Sequence, residues 1–383
     1  GLWGAIAGFL AAGWKIVAAA AVALFAAVLG LGNGISAGVV MTIGSDASPD
    51  VGRPQFLAGW RLTTGIGQAA DIKERTAKFP IVNAIDHPQG LGAQKFVEVV
   101  EKKSGGKIKV KVFPNGTLGG EQQVAAAMQG GTIEVSMMSP AQLVGTIKEF
   151  VVLDFPFSFA NTAQADAVLD GPFGKKLMDY MPAKGWVGLG FMEQGYRSIS
   201  NSKRPITKLE DIKGLKLRTI LNPLYVDMFN TLGANAVPMP FPELYSAMET
   251  KTVDGQENPE TSVDANKFYE VQKYFSGTRH IYNPQMLMVS KKLWDSLSAD
   301  EKKIFDEALV AARDVQRKAA RAMTEKSRKK LADSGMKLNE IDAKELERMK
   351  AVAKPVTEKY AAQLDPALVK AFYAELERTK NLK

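Results

Sequence analysis

The sequence of 383 residues contains no cysteine and only two histidines, His87 and His280, which lie far apart. The lack of cysteine excludes disulfides, thiolate nucleophiles and cysteine-bound metals. Two distant histidines argue against a histidine-rich metal site. A Gly-x-Ser-x-Gly match occurs at residues 34–38, but it lies within an apolar run that lacks the strand and sharp turn of a serine hydrolase. We therefore expect a protein with no metal and no other cofactor, whose composition leaves the redox compartment open.

Long blocks of one charge sign are also missing, although the formal net charge is +8. Lysine and arginine are interleaved with aspartate and glutamate, so no basic stripe indicates nucleic acid as a partner. Charged residues make up 23% and hydrophobic residues 46% of the chain, which is typical of a folded soluble protein. The length exceeds that of one ordinary hydrophobic core, which favours two or three lobes.

Residues 1–69 have little charge and differ sharply from the rest of the chain. Their charged side chains are Lys15, Asp46, Asp50, Arg53 and Arg61. The uncharged run at 16–31, with its continuation, is long enough to span a bilayer. A secretory leader is one interpretation, but a polar stretch containing proline follows the apolar run. A partial dinucleotide motif at Gly32, Gly34 and Ala37 lacks the strand and helix that nucleotide binding requires.

Residues 30–61 resemble late membrane spans and a connecting loop of a major facilitator superfamily transporter, through GNGISAG, MTIGSD and FLAGWRL. Such transporters need many more spans, so we do not expect this piece to transport a solute alone. We interpret residues 1–69 as a foreign or fused segment, and a membrane anchor formed by residues 1–40 is the alternative.

Residues 71–383 alternate short apolar strands with amphipathic helices, which is the pattern of an α/β protein. Residues 186–201 predict one long strand that crosses between lobes. Ser298 and Glu301 form a capping box, which predicts the start of a long helix. Residues 343–381 predict a helical and charged C-terminal segment.

Two arginines, Arg197 and Arg218, lie near the ends of predicted strands beside turns, where a side chain can face a crevice. The planar guanidinium group can donate two parallel hydrogen bonds to one carboxylate. The pattern alone leaves a surface position or a structural ion pair open for each of them. Both are therefore candidates for binding a carboxylate ligand.

Several motifs in a fixed order give a stronger indication of function. They are GLKLRT at 214–219, VPMPFPELYSAMETKTVDGQENP at 237–259, KFYEVQKY at 267–274, SGGKIKVKVFPNGTLGGE at 104–121, DFPF at 154–157 and DGPFGKKL at 170–177. Through these motifs, nearly all of residues 71–375 resemble the DctP-type solute-binding proteins of TRAP (tripartite ATP-independent periplasmic) transporters.

The resemblance implies a two-lobed α/β fold of the periplasmic-binding-protein kind, type II-like, with a long helix bridging the lobes. Lobe I would comprise residues 71–195 and 284–323, and lobe II residues 196–283 and 324–383. The resemblance also implies a periplasmic location in a Gram-negative bacterium, with a small organic acid delivered to the small and large integral membrane subunits of the transporter. The alternative is an enzyme acting on a carboxylic acid in the same cleft, but the sequence offers no recognisable pair of nucleophile and base.

The resemblance also assigns ligand-binding roles to individual residues. Arg218 would hold the carboxylate, Arg197 would be a second cationic contact, Asn258 a contacting amide and Phe241 an aromatic wall. The further candidate contacts are Asn83, His87, Met138, Ser139, Glu193 and Asn222. His87 is also open to interpretation as a cap of the first turn of a helix, and His280 as buried scaffold.

Two expectations concern the surroundings of these residues. Apolar character at Met138, Leu221 and Phe241 favours a monocarboxylate with an apolar or aromatic tail, although dicarboxylates, oxo acids, sugar acids and amino acids all occur as ligands in the family. Gln256 and Glu257 are expected to hold a hinge loop through backbone hydrogen bonds.

Overall fold

The computed structural model describes residues 71–382. The predictions made for residues 1–69, including the membrane anchor, lie outside the described residues. Within residues 71–382, no helix is both long and apolar enough to cross a membrane.

The described residues alternate strands and helices, as predicted for an α/β protein. The strands are β1 (Arg75–Pro80), β2 (Ile108–Phe113), β3 (Val135–Met138), β4 (Trp186–Asn201), β5 (Lys216–Thr219), β6 (Asn235–Pro238), β7 (Gly255–Asn258), β8 (Tyr274–Ser290) and β9 (Lys337–Glu340). The α-helices are α1 (Pro88–Lys103), α2 (Glu121–Gly130), α3 (Thr162–Leu169), α4 (Pro172–Met178), α5 (Pro223–Thr231), α6 (Leu244–Glu249), α7 (Glu260–Ala265), α8 (Lys291–Ser296), α9 (Ala299–Asp333), α10 (Ala343–Ala361) and α11 (Pro366–Thr379). Short 3₁₀ turns connect several of them.

Two long antiparallel strands, β4 and β8, join the two halves of the main sheet, in which the strand order is β3-β8-β4-β7-β5-β6 and β9 also pairs with β8. At one end, β3 pairs with residues 286–289 of β8. At the other end, β7 pairs with residues 198–201 of β4, and β9 pairs with residues 274–277 of β8. Between these ends, β4 and β8 pair only with each other in the described part of the chain, so two strands alone connect the halves.

The middle of this connection is irregular because of one proline. Pro284 of β8 has no N–H to donate to β4, and it lies opposite Glu193. The register shifts immediately after this pair, which leaves Gln194 without a paired residue on β8 in the strand ladder. Gly195 follows with a φ of 114°, a value that residues other than glycine rarely adopt. The irregularity changes the direction of the side chains that follow on β4.

The long helix α9 begins at the predicted capping box, where Ser298 Oγ accepts the N–H of Glu301 at 3.1 Å and Glu301 Oε2 accepts the N–H of Ser298 at 2.9 Å. Its first half packs Ile304, Phe305 and neighbouring residues into one hydrophobic cluster with β1, β2 and α1. Near its other end, Leu331 belongs to a separate cluster with α6 and α7. The predicted α/β class with a long bridging helix is thus confirmed.

The strand β4 spans the residues 186–201 that the sequence predicted. The C-terminal segment is helical as predicted, but it is divided into two helices because the chain turns after Ala361 and restarts where Asp365 caps α11 and Pro366 occupies its first turn. The long strand β8 was not predicted, since a proline within a run argues against a central strand.

Candidate functional site

The central irregularity of β4 and β8 forms part of the wall of a cavity whose atom-free space, counted together with its opening to solvent, is about 290 Å³. The carboxyl ends of several strands converge on the same place, as ligand sites of open α/β sheets commonly require. The lining residues are Val82, Asn83, Glu121, Ser139, Gln142, Gln194, Arg197, Arg218, Ile220, Phe241, Asn258, Asn283 and Gln285. Six of the ten predicted site residues are in this set, and they come from six separate segments of the chain.

Arg218 projects from β5 into the cavity with most of its guanidinium group unbound. The side chain is 1% exposed, and its Nε donates to the backbone oxygen of Met239 at 2.9 Å. Neither Nη atom has a hydrogen bond or an ion pair to any described residue, although the ring of Phe241 lies 5.7 Å from the guanidinium carbon. Burial lowers the pKa of Arg218 to about 10, which leaves it charged at neutral pH. A buried guanidinium with free donors is suited to receiving a planar anion.

Arg197 lines the same cavity but already has an anionic partner. Its Nε and Nη2 donate to the two carboxylate oxygens of Glu257 at 2.5 Å and 2.7 Å, and Nη2 also donates to the backbone oxygen of Glu257 at 2.6 Å. Its Nη1 donates to Oδ1 of Asn283 at 3.2 Å. The sequence treated both arginines as candidate cations for the ligand, whereas in the structure Glu257 neutralises the charge of Arg197.

Glu257 therefore does more than the predicted backbone bonding of a hinge loop. It lies in β7, opposite Ile199 of β4, and its side chain is fully buried. Burial raises the pKa of Glu257, but the charge and hydrogen bonds of Arg197, with a further contact from His280 Nε2 at 3.1 Å, lower it below its ordinary value. His280 is buried in this network, as the sequence interpretation expected.

Four predicted residues lie outside the lining of the cavity. His87 caps α1 instead: its Nδ1 accepts the N–H of Gln89 at 3.0 Å, and burial lowers its pKa to about 3. Met138 is buried in the largest hydrophobic cluster. Glu193 faces α9, where Arg321 Nε donates to it at 2.8 Å.

Asn222 is the fourth residue outside the lining. Its Oδ1 accepts the N–H of Leu224 at 2.9 Å and thereby caps α5. Its Nδ2 donates to Ala141 O and to the carboxylate of Asp154, each at 3.1 Å. Both ends of this side-chain amide therefore have partners within the scaffold.

Several lining residues were missed by the sequence reasoning. Glu121 ends the motif at 104–121 but had been assigned no role, and Gln142 and Gln194 carry no motif that distinguishes them from ordinary helix and strand residues. Asn283 and Gln285 are two apart in β8, so both side chains face one side of the strand, but Pro284 between them weakens the sequence signal for a strand.

Behind Arg197 lies a second buried carboxylate, that of Asp154. It accepts hydrogen bonds from Tyr225 Oη and Asn222 Nδ2, each at 3.1 Å, and it is 1% exposed. Burial raises the pKa of Asp154 from 3.8 to about 7. The folded protein therefore retains a proton that the unfolded chain has lost, and the free energy of unfolding should fall as pH rises from about 4 to about 7.

Replacing Asp154 by asparagine should remove this pH dependence. We expect the free energy of unfolding of Asp154→Asn, relative to that of the unsubstituted chain, to increase by about 2 kcal/mol from pH 5 to pH 8. Urea denaturation at the two pH values measures the difference, and the comparison cancels any constant cost of the substitution. Parallel pH profiles for the two chains would contradict the prediction.

Within residues 71–382, no group of three or more histidine, aspartate or glutamate side chains is arranged to hold a metal ion. The cavity instead offers one unpaired guanidinium, one internal ion pair, one further carboxylate and several amides. Such an arrangement binds a small polar anion.

Comparison with known proteins gives consistent matches. The sequence profile of DctP, "Bacterial extracellular solute-binding protein, family 7", matches residues 79–364. The 2,3-diketo-L-gulonate-binding periplasmic protein YiaO of Escherichia coli (strain K12) is 37% identical over 282 residues, which are 74% of this chain and 83% of the relative. The C4-dicarboxylate-binding periplasmic protein DctP of Rhodobacter capsulatus is 33% identical over 304 residues, which are 78% of this chain and 91% of the relative.

A solved structure agrees with these relatives. The sugar acid binding protein DctPAm from Advenella mimigardefordensis strain DPN7T, in complex with galactonate, has a TM-score of 0.79 and is 43% identical. The match covers 80% of this chain and 99% of that structure.

Proposed function

The chain belongs to the DctP family, the extracytoplasmic solute-binding proteins of TRAP transporters, and we propose that it captures a small organic acid whose carboxylate binds Arg218. The observation that carries the proposal is the buried guanidinium of Arg218, whose two Nη atoms have no partner among the described residues. A carboxylate would satisfy these donors and neutralise the desolvated charge.

The relatives support an acid as the ligand class. DctPAm was crystallised with galactonate, YiaO is named for 2,3-diketo-L-gulonate, and the Rhodobacter capsulatus protein is named for C4-dicarboxylates. All of these ligands carry a carboxylate, although they differ in what else they carry. In this proposal the common carboxylate binds Arg218, and the remaining lining residues decide which acid binds.

Capture would occur by closure of the predicted lobes around the acid. Two strands alone join the halves of the sheet, and their centre is interrupted at Pro284 and Gly195, so bending there would disrupt few ladder hydrogen bonds. Closure excludes water and strengthens the interaction of Arg218 with the carboxylate. The lobe boundaries at residues 195/196, 283/284 and 323/324 are part of this proposal.

After capture, the protein would deliver the acid to the small and large membrane subunits of a TRAP transporter. This step places the chain in the periplasm of a Gram-negative bacterium. Residues 1–40 would serve as a membrane anchor if the apolar segment is retained. Fractionation of cells that express the full chain, followed by alkaline extraction of the membranes, distinguishes a free periplasmic protein from an anchored one.

Thermal-shift screening of the full chain against small carboxylic acids tests the proposal, because a ligand that binds the folded state raises the melting temperature. We expect at least one acid to raise it and to bind with a stoichiometry of one per chain by calorimetry. Matched uncharged amides of the same acids should have no effect. Steady consumption of the acid would instead indicate an enzyme, and a screen without any binding acid would contradict the proposal.

A further inference from the structure

The cavity contains a carboxylate of its own, that of Glu121. This residue lies in the first turn of α2, and its Oε1 accepts the backbone N–H of Ser139 at 3.2 Å. Burial raises the pKa of Glu121 above its ordinary value, and the N–H of Ser139, the amide of Gln142 and the positive charge of Arg218 offset only part of this rise. The same small cavity thus contains the free guanidinium and an acidic group.

The cavity offers a direct contact for one ligand carboxylate, at Arg218. Arg197 is neutralised by Glu257, so among the lining side chains Arg218 is the cation that has no bound anion in the described residues. One ligand carboxylate would match Arg218. A second would enter a desolvated space that contains Glu121 and no further uncompensated cation, and repulsion between like charges is strong in such a space.

Two groups in the cavity can accept a hydrogen bond from the ligand. Gln142 is 7% exposed, and its buried side-chain oxygen has no hydrogen-bond partner. The carboxylate of Glu121 is likewise an acceptor when ionised. An ionised carboxylate of a ligand cannot donate to either group, and an alkyl tail cannot do so, whereas a hydroxyl group can.

The lining also offers unused donors. The side-chain amides of Asn258, Asn283 and Gln285 each use one N–H, toward Gln256 Oε1, Ser139 Oγ and Gln194 Oε1 respectively. Each amide nitrogen carries two hydrogens, so one N–H of each remains for a ligand. A hydroxyl oxygen both donates and accepts, while an ammonium group could satisfy the acceptors and none of these donors.

We propose that the ligand is a polyhydroxylated monocarboxylate, and that Glu121 is the residue that selects it over dicarboxylates. The carboxylate binds Arg218, and a hydroxyl group distant from it donates to Glu121 and Gln142. This inference rests on the proposed function and narrows its ligand class. The inference replaces the expectation of a ligand with an apolar or aromatic tail, because Met138 and Leu221 are not in the lining and six of the thirteen lining side chains are amides.

Calorimetry on the full chain with pairs of aldonic and aldaric acids tests the inference. The two members of a pair share the carbon chain and inner hydroxyls, and the aldaric acid replaces the terminal CH₂OH by a second carboxylate. Across pairs of four, five and six carbons, we expect the tightest aldonate to bind at least tenfold more tightly than its aldaric partner. The same aldonate should also bind at least tenfold more tightly than the alkanoate and the α-amino acid of equal chain length.

The substitution Glu121→Gln tests the assigned residue, because glutamine keeps the size and an acceptor for the N–H of Ser139 but removes the charge. We expect the preference for the aldonate over its aldaric partner to fall at least tenfold. Glu325→Gln, on an exposed part of α9, is the matched control and should retain the preference of the unsubstituted chain. A thermal melt of each variant confirms that it is folded.

The possible failures are distinguishable. If some carboxylic acid binds but an alkanoate, an amino acid or an aldaric acid binds as tightly as every aldonate, the ligand class is wrong and the proposed function stands. If the aldonate preference is present but unchanged in Glu121→Gln, the assignment of Glu121 is wrong. If no acid binds the unsubstituted chain, the proposed function itself fails.

Discussion

Replacing Arg218 by alanine is expected to weaken the binding of the acid at least a hundredfold, to below detection for a ligand of micromolar affinity. The guanidinium is buried and its Nη atoms are free, so it would form charge-assisted hydrogen bonds in a space of low dielectric. Removing one member of a buried charge pair costs about 2–5 kcal/mol, and about 3 kcal/mol corresponds to a hundredfold in the dissociation constant. Isothermal titration calorimetry measures the loss.

The same substitution should leave the unliganded protein folded. Arg218 contributes one hydrogen bond to the scaffold, through its Nε to Met239 O, and burial disfavours its charge, as the lowered pKa of about 10 indicates. We expect the free energy of unfolding without ligand to change by less than about 1 kcal/mol. Arg378→Ala, at an exposed position of α11, is the control for loss of a surface charge. Binding by Arg218→Ala at nearly the original affinity would refute the role of Arg218.

Replacing Glu257 by alanine is expected to lower the free energy of unfolding by about 3–5 kcal/mol, the largest effect on stability that we predict. The substitution would leave the guanidinium of Arg197, which is 2% exposed, without its bidentate partner and would also remove the contact with His280. The uncompensated charge would then lie in a buried network beside the cavity. Urea denaturation of the unliganded protein measures the loss.

An exposed ion pair provides the matched control for this prediction. Glu210 pairs with Arg348, and both side chains are about half exposed. Glu210→Ala should therefore change the free energy of unfolding by less than about 1 kcal/mol. If Glu257→Ala were as mild as Glu210→Ala, the neutralisation of Arg197 would not be a structural requirement, and Arg197 would again be available as a second cation for the ligand.

Local features of the fold were predictable from the sequence because their causes lie within a few residues. The capping box of Ser298 and Glu301 joins residues three apart, and it correctly marked the start of α9. The strand at 186–201 was also predicted correctly from the sequence. The strand β8 was not, because its proline locally argues against a strand, and the segment of β4 that pairs with it is some ninety residues away in sequence.

The candidate site was likewise predictable in part from the sequence and in part only from the tertiary structure. Sequence motifs were sufficient to single out Arg218 as the expected carboxylate anchor and Arg197 as a second cationic contact, together with the family and the class of ligand. Only the folded chain shows that the charge of Arg197 is neutralised, because β7 pairs with β4 and brings Glu257, sixty residues away in sequence, against it. Arg218 remains without a bound anion among the described residues. Likewise, only the folded structure brings α2 close to β5 and β8, so that Glu121 and the amides of Asn283 and Gln285 line the same cavity. The sequence by itself determined which side chains could bind an acid, whereas the tertiary structure decided which were free to do so, because a charge is available to a ligand only where no long-range partner has neutralised it.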